Sequence, residues 1–335
     1  MRIGLLISLL FPLFVSAQIV NIPDANFKAA LVGNSFINTN LDSEIQVSEA
    51  SAFSDSIDVS SLGISDLTGI EAFVNITLLN CFNNSLTSLD VSNNTALTYL
   101  NCCCNSLTSL DVSSNTKLTY LRCSGNSLTS LDLSNNTALV ELNCDYNPFT
   151  TLDLSNNVAL ETLDCSGLYF LTDLNISNNT LLMSLSVGYN TSLLTLDLSN
   201  NTALTSLWAS ESSFSYIDLR NGNNINMTIF VGAICIAVDD SAWSYANWPS
   251  PGGIFSNDCM LVGINDIEFN QASIISFGNT ITIKGKGTAT IYNLQGQRVH
   301  HSKLTGNTSI SLDRGIYLVR VMEDGRSITK KVYLN

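Results

Sequence analysis

The chain has 335 residues, 45% of them hydrophobic and only 13% charged, with 28 Asp and Glu against 14 Lys and Arg for a net charge of −14. That composition excludes a disordered chain and is long enough for two or more domains with sizeable cores. Residues 18 to 263 carry 23 acids against four Lys or Arg. This part therefore lacks the basic face that a nucleic-acid partner requires.

Met1-Arg2 leads into an apolar run from Ile3 to Val15 that closes on Ser16-Ala17. A positive start, a short apolar core and small residues before Gln18 predict a secretory signal peptide over 1–17. The run is shorter than the roughly 18 apolar residues of a membrane span. Residues 18–56 read as an N-terminal cap, in which Asp24 is the N-cap of a short helix carrying Phe27, Leu31 and Val32 and ending at Gly33.

Over 57–230 the chain repeats itself. Copies start at Ile76, Leu97, Leu118 and Leu139 with a period of 21, lengthen to 22 from Leu160 and Leu182, and continue from Leu204. A degenerate copy built on Ile57, Val59, Leu62, Ile64 and Leu67 precedes them. The unit Leu118-Thr-Tyr-Leu121-Arg-Cys123-Ser-Gly-Asn126-Ser-Leu128 resembles the leucine-rich repeat. That resemblance implies a solenoid of short parallel strands. The return half, Leu128-Thr-Ser-Leu131-Asp132-Leu133-Ser-Asn-Asn136, is too short and too rich in Ser, Thr and Asn for an α-helix, so little helix is expected.

Several columns follow from the register. Asn84, Asn105, Asn126, Asn147 and Asn190 form one, and Asn94, Asn115, Asn136, Asn157, Asn179 and Asn201 another; both are read as corner ladders, because an amide donates and accepts. Leu168 and Ser212 interrupt the first. Cys81, Cys102, Cys123, Cys144 and Cys165 take an inward strand position as small buried hydrophobes, and no metal site is expected of them. Cys103 is placed on the exposed strand face, with Cys104 opening a turn. Asp90, Asp111, Asp132, Asp153, Asp197 and Asp218 stack as like charges, for which the N–H groups of the following turn are the expected compensation and Ca²⁺ between rungs the sharper reading.

Outward strand positions supply the candidate ligand face. Leu78, Tyr99, Tyr120, Glu141 and Thr162 make one file, Asn80, Asn101, Arg122, Asn143 and Asp164 the next, and Phe82, Cys103, Ser124, Asp145 and Ser166 the third. Aromatic and arginine anchors beside directional polar groups suit a binding surface.

Residues 231–262 read as a C-terminal cap, pinned by a disulfide between Cys235 and Cys259 in an exported chain. From 263 to 335 the balance turns basic and alternating runs at Thr280–Lys284, Thr288–Leu294, Thr308–Leu312 and Gly315–Val321 predict a small antiparallel β-sandwich, with Asp324-Gly325 as a hairpin turn. The segments Ile291-Tyr-Asn-Leu-Gln-Gly296-Gln-Arg298-Val, Leu312-Asp-Arg-Gly315-Ile-Tyr317-Leu-Val-Arg-Val and Lys330-Lys331-Val-Tyr-Leu resemble the C-terminal sorting domain of the type IX secretion system. Asn270-Gln-Ala-Ser stands where that family often has Pro-Asn-Pro. Together with the repeats, this resembles exported leucine-rich repeat proteins of Bacteroidetes-type bacteria, and implies passage to the cell surface or beyond.

The two histidines, His300 and His301, both fall in that last segment, and no G-x-S-x-G or H-E-x-x-H occurs. An exported binding or adhesion protein is expected, without enzymatic activity or cofactor. Its expected ligand is a protein, or in a second reading a glycan, held on the strand face.

Overall fold

A computed structural model of the chain describes residues 18–223 without a break and, beyond them, 228–231, 235–241, 244, 247, 254–256, 273–277, 280–293, 296–323 and 326–334. The expected signal peptide, the side chain of Cys235, all of Cys259 and the Asp324-Gly325 turn lie outside the described residues. Two compact units make up the chain, Met1–Cys259 and Met260–Asn335.

The first unit opens with α1 (Ala25–Val32), where Asp24 Oδ1 accepts from the N–H groups of Asn26 and Phe27, each at 3.0 Å. Asp24 has a second task. Its Oδ2 accepts from Ser65 N at 2.8 Å and Ser65 Oγ at 2.9 Å, which ties the capping helix to the first rung. A second short helix, α2 (Val47–Ala52), leads through Phe53, edge-on to Phe73 at 6.4 Å, into the repeats.

Each rung contributes one three- or four-residue strand: β1 (Ser56–Asp58), β2 (Leu78–Asn80), β3 (Tyr99–Asn101), β4 (Tyr120–Arg122), β5 (Glu141–Asn143), β6 (Thr162–Asp164) and β7 (Ser184–Ser186). On the return side of the later rungs lies β8 (Thr195–Asp197), followed by β9 (Ser206–Ala209), β10 (Tyr216–Asp218), β11 (Thr228–Val231), β12 (Cys235–Ala237) and β13 (Ile254–Ser256). The main sheet runs β1 through β7, then β9 and β11, all parallel, and β8, β10, β12 and β13 form a second parallel sheet. The first unit is thus a solenoid of short strands with little helix. From β2 to β6 the return side stays a string of turns; from the rung of β7 onward it becomes a true strand, beginning with β8.

Inside, Leu79, Leu100, Leu121 and Leu142 stack directly, since their Cα atoms are register partners, and all four are fully buried. No rung could bury this stripe alone; each covers its neighbour. Both asparagine columns work as ladders. Asn105 Nδ2 donates to Cys81 O at 3.0 Å and Cys102 O at 3.1 Å, while its Oδ1 accepts from Leu86 N of the preceding rung at 3.0 Å. In the second column Asn136 Nδ2 donates to Val112 O and Asn115 O, both at 3.0 Å. Where the first column breaks, Leu168 is buried as an apolar filler and Ser212 Oγ donates to Val187 O at 2.9 Å in place of an amide.

The second unit is antiparallel: β14 (Ser273–Phe277), β15 (Thr280–Asn293), β16 (Arg298–Ser311), β17 (Gly315–Glu323) and β18 (Arg326–Leu334). The runs expected at 280–284 and 288–294 are one continuous 14-residue strand. Its first half pairs with β14, its second half with β17, and β16 accompanies both, with Gly285 opposite Gly306 between the halves. Ile281, Ile283, Ile291, Val319, Val321 and Val332 fill the core of this unit.

Candidate functional site

The strand face over β2 to β6 brings the sequence candidates together. Leu78, Tyr99, Tyr120, Glu141 and Thr162 are successive register partners, as are Asn80, Asn101, Arg122, Asn143 and Asp164. Alternation along each strand turns the leucine between them inward, so both files share the outer face. Tyr120 and Phe82 are exposed at 41% and 38%, whereas Leu78, Tyr99, Asn80, Asn101, Asn143 and Asp164 are half-buried against one another.

The tyrosines form a pair. The rings of Tyr99 and Tyr120 lie 6.2 Å apart with planes inclined by 38°, within the range of favourable aromatic contact. Arg122 is engaged: its Nε and Nη2 both donate to Glu141 Oε1, at 2.9 and 2.6 Å, and that bond holds the guanidinium pKa above its ordinary value. The asparagine file is engaged as well. Oδ1 of Asn80, Asn101 and Asn143 each accepts the N–H two residues ahead, at 3.3, 3.2 and 3.4 Å, which fixes the bend where strand becomes turn. Ser124 Oγ donates to Asn143 Oδ1.

Cys103 departs from expectation. It is buried at 8% exposure, with its short side chain bonded to Ser124 on the next rung. Asp145, in the same file, is half-buried, and one carboxylate oxygen has no hydrogen-bond partner. Burial raises its pKa, Ser124 opposes this and Asp164 adds to it.

Comparison with known proteins decides what the two units are. Residues 269–335 match the model of the secretion system C-terminal sorting domain. The chain carries a type IX sorting domain. Its other unit is a leucine-rich repeat solenoid: it is similar to an internalin (inlF) from Listeria monocytogenes, with a TM-score of 0.57 at 21% identity, over 73% of this chain and 81% of that one. Internalin C2 (inlC2) from the same organism gives a TM-score of 0.47 at 18% identity, over 72% of this chain and 98% of that one. No curated protein matches the chain. The sorting domain makes this an exported protein, secreted or held at the cell surface, and hands it to the type IX secretion machinery. Among the described residues no helix is long and apolar enough to cross a membrane.

In the repeats of this exported protein the aspartate column is compensated locally. Asp90, Asp111, Asp132 and Asp153 each accept the N–H of the serine two residues ahead at 2.9 Å, and these bonds lower all four pKa values. Asp218, last in the column, accepts the N–H of Arg220 two residues ahead at 3.1 Å and, in addition, Nε and Nη2 of that arginine and the hydroxyl of Tyr216. The cysteine column is fully buried, and loss of hydration pushes the Cys81 thiol up to about 12. These thiols are packing groups.

The sequence reading missed one part of this face, the corner just past the third file. Ser61, Asn83, Cys104, Tyr146, Tyr189 and Glu211 all have φ between 50° and 58°, the left-handed region, and Gly125 and Gly167 fall in the same column. Tyr146 is 47% exposed and Tyr189 37%. The signal was present as a glycine–tyrosine alternation at one repeat position, but only the register shows that these residues neighbour Trp208.

Proposed function

We propose that this exported protein is a binding or adhesion protein that holds a protein partner on the strand face of its repeats. The observation that carries the reading is the Tyr99–Tyr120 pair beside the Arg122–Glu141 bridge, on a sheet where Asn80, Asn101 and Asn143 are already fixed by bonds within the chain. Such a surface is pre-ordered, so a partner loses little entropy to it, and rigid aromatic anchors supply most of the binding energy in interfaces of this kind. Catalysis fits poorly, because the outward files over β2 to β6 hold no histidine and their carboxylates follow the repeat without an opposed acid and base.

A second reading, a glycan ligand, is favoured by the same tyrosines, which could stack on sugar rings. Full-chain protein is tested in parallel on a glycan array and in capture of purified extracellular proteins, each with a Tyr120→Ala variant. The protein reading requires capture that falls at least tenfold in the variant. Array binding sensitive to Tyr120, without protein capture, would establish the glycan reading instead.

A further inference from the structure

Four aromatic side chains rise along the corner of rungs that follow β5. Tyr146, Tyr169 and Tyr189 are close enough for Tyr169 and Tyr189 to bear on the ionisation of Tyr146, and the ring of Tyr189 meets that of Trp208 edge-on at 5.5 Å. Phe230, 52% exposed, is the register partner of Trp208 on the next strand. Two glycines floor this ridge. A Cβ on Gly167 would come within 2.7 Å of the Tyr146 ring, and one on Gly188 within 2.3 Å of the Trp208 ring, so both rings lie against backbone where no other residue fits.

Tyr146 and Tyr189 hold left-handed backbone, which costs a residue with a Cβ roughly 1 kcal/mol or more. Gly125 and Gly167 show that the same corner accepts glycine, which carries no such cost. The rings are held in place against local preference and remain exposed. An exposed aromatic row with backbone fixed beneath it is a docking surface in want of an occupant.

Charge selects the occupant. Between Arg122 and Arg220 the sequence contains ten Asp or Glu and no Lys, Arg or His. The cations at either end are already taken, Arg122 by Glu141 and Arg220 by Asp218. Asp145 and Asp164 lie beside Tyr146, near enough to bear on its ionisation, and each is half-buried, with part of its side chain at the surface. Glu211 follows Tyr189 in the corner column. Aromatic faces attract Lys and Arg side chains, Trp most strongly, and flanking carboxylates add a directional pairing.

We propose that the ridge Tyr146–Tyr169–Tyr189–Trp208, with Asp145 and Asp164 at its edge, docks a basic segment of the protein partner, its Arg or Lys side chains lying on the rings and pairing with the two aspartates. This deepens the protein-binding reading and rests on it. It places the partner's basic segment on later rungs than the Tyr99–Tyr120 pair.

The test is a fluorescence-anisotropy titration of the full chain with a labelled (Arg-Gly)5 peptide, with (Glu-Gly)5 and a neutral cello-oligosaccharide as parallel probes. Tyr146→Ala and Trp208→Ala should each weaken the arginine peptide roughly five- to thirtyfold, the range of a desolvated cation on an aromatic face. The double change Asp145→Asn with Asp164→Asn should weaken it about tenfold or more, whereas the equally charged control Asp111→Asn with Asp132→Asn on the return side should change it less than twofold. Circular dichroism and a cooperative melt like those of the parent keep the comparison valid in the asparagine variants, since both replacements are isosteric.

Equal losses in the two aspartate pairs would reduce the effect to general attraction by an acidic protein and overturn the proposal. So would tighter binding of the oligosaccharide than of the peptide, or indifference to both aromatic changes. The wider reading is judged separately by Tyr120→Ala: loss of protein capture there with an indifferent ridge sinks only the ridge.

Discussion

Arg122 and Glu141 join neighbouring rungs through a single carboxylate oxygen, with the guanidinium Nη2 2.6 Å from Glu141 Oε1. The pair occupies the middle of the strand face, one register step from the Tyr99–Tyr120 contact. Its exposure limits its value to the fold, for exposed ion pairs contribute about 0–1 kcal/mol. Glu141→Gln should therefore change unfolding free energy by less than about 1 kcal/mol while freeing Arg122 for a partner's carboxylate. A denaturant titration beside a partner titration separates the two effects, and a loss of stability well above that bound would make the bridge a structural element.

The buried ladder is a different matter. Asn136 is fully buried and donates to two carbonyls, so Asn136→Ala removes two buried hydrogen bonds and leaves Val112 O and Asn115 O with only the backbone N–H groups of Asn115 and Leu118. A buried hydrogen bond contributes about 0.5–1.5 kcal/mol, so a loss of about 1–3 kcal/mol is expected, against under about 0.5 kcal/mol for the exposed neighbour Asn135→Ala. Equal effects in chemical denaturation would contradict the ladder.

Asp145 should trade stability for binding. Its carboxyl pKa is raised above the ordinary 3.8, so the folded chain holds a proton there more readily than the unfolded chain. Stability then falls as pH rises from 3.8 through the raised value, and the deficit persists at neutral pH. Asp145→Asn removes the deficit: the variant should melt higher than the parent at pH 7, with the gap closing as pH drops below 3.8. A variant that melts lower at pH 7 would show that the carboxylate is better paired than its unbonded oxygen indicates.

Thiol chemistry should sort the cysteines by column. Cys104 is exposed, while Cys81, Cys102, Cys103, Cys123, Cys144 and Cys165 are buried. Brief treatment of the folded protein with iodoacetamide should label Cys104 first and leave the other six until denaturation. Peptide mapping without reduction is expected to join Cys235 to Cys259; a bridge within the strand column, or a labelled Cys235, speaks against that pairing.

Export should depend on the second unit. Truncation at about residue 262 removes the matched sorting segment, 269–335, and leaves the repeats with their own core. The truncated chain should fold, by circular dichroism, yet accumulate in the periplasm. Normal surface levels would move the sorting signal elsewhere.

Much of this protein was written in its repeat. Because a rung buries its leucines only against an identical neighbour, period alone fixed the parallel stacking of Leu79 on Leu100, and the asparagine ladders followed the same register, although only the first column both donates and accepts: in the second the amides donate, and buried oxygens such as Asn136 Oδ1 have no hydrogen-bond partner. The sorting domain was legible because its strands alternate cleanly, although Thr280–Lys284 and Thr288–Leu294 looked like two strands: a glycine pair between alternating runs reads as a break until a partner strand spans it. The binding face divided differently. Strand alternation placed Tyr99, Tyr120 and Arg122 on one side, but only three dimensions could decide that Arg122 spends its charge on Glu141, that Cys103 is buried beside Ser124, and that Tyr146, Tyr189 and Trp208 converge over Gly167 and Gly188. Periodicity determines which way a side chain leaves the backbone; the size and charge of its neighbours on adjoining rungs determine what it then touches.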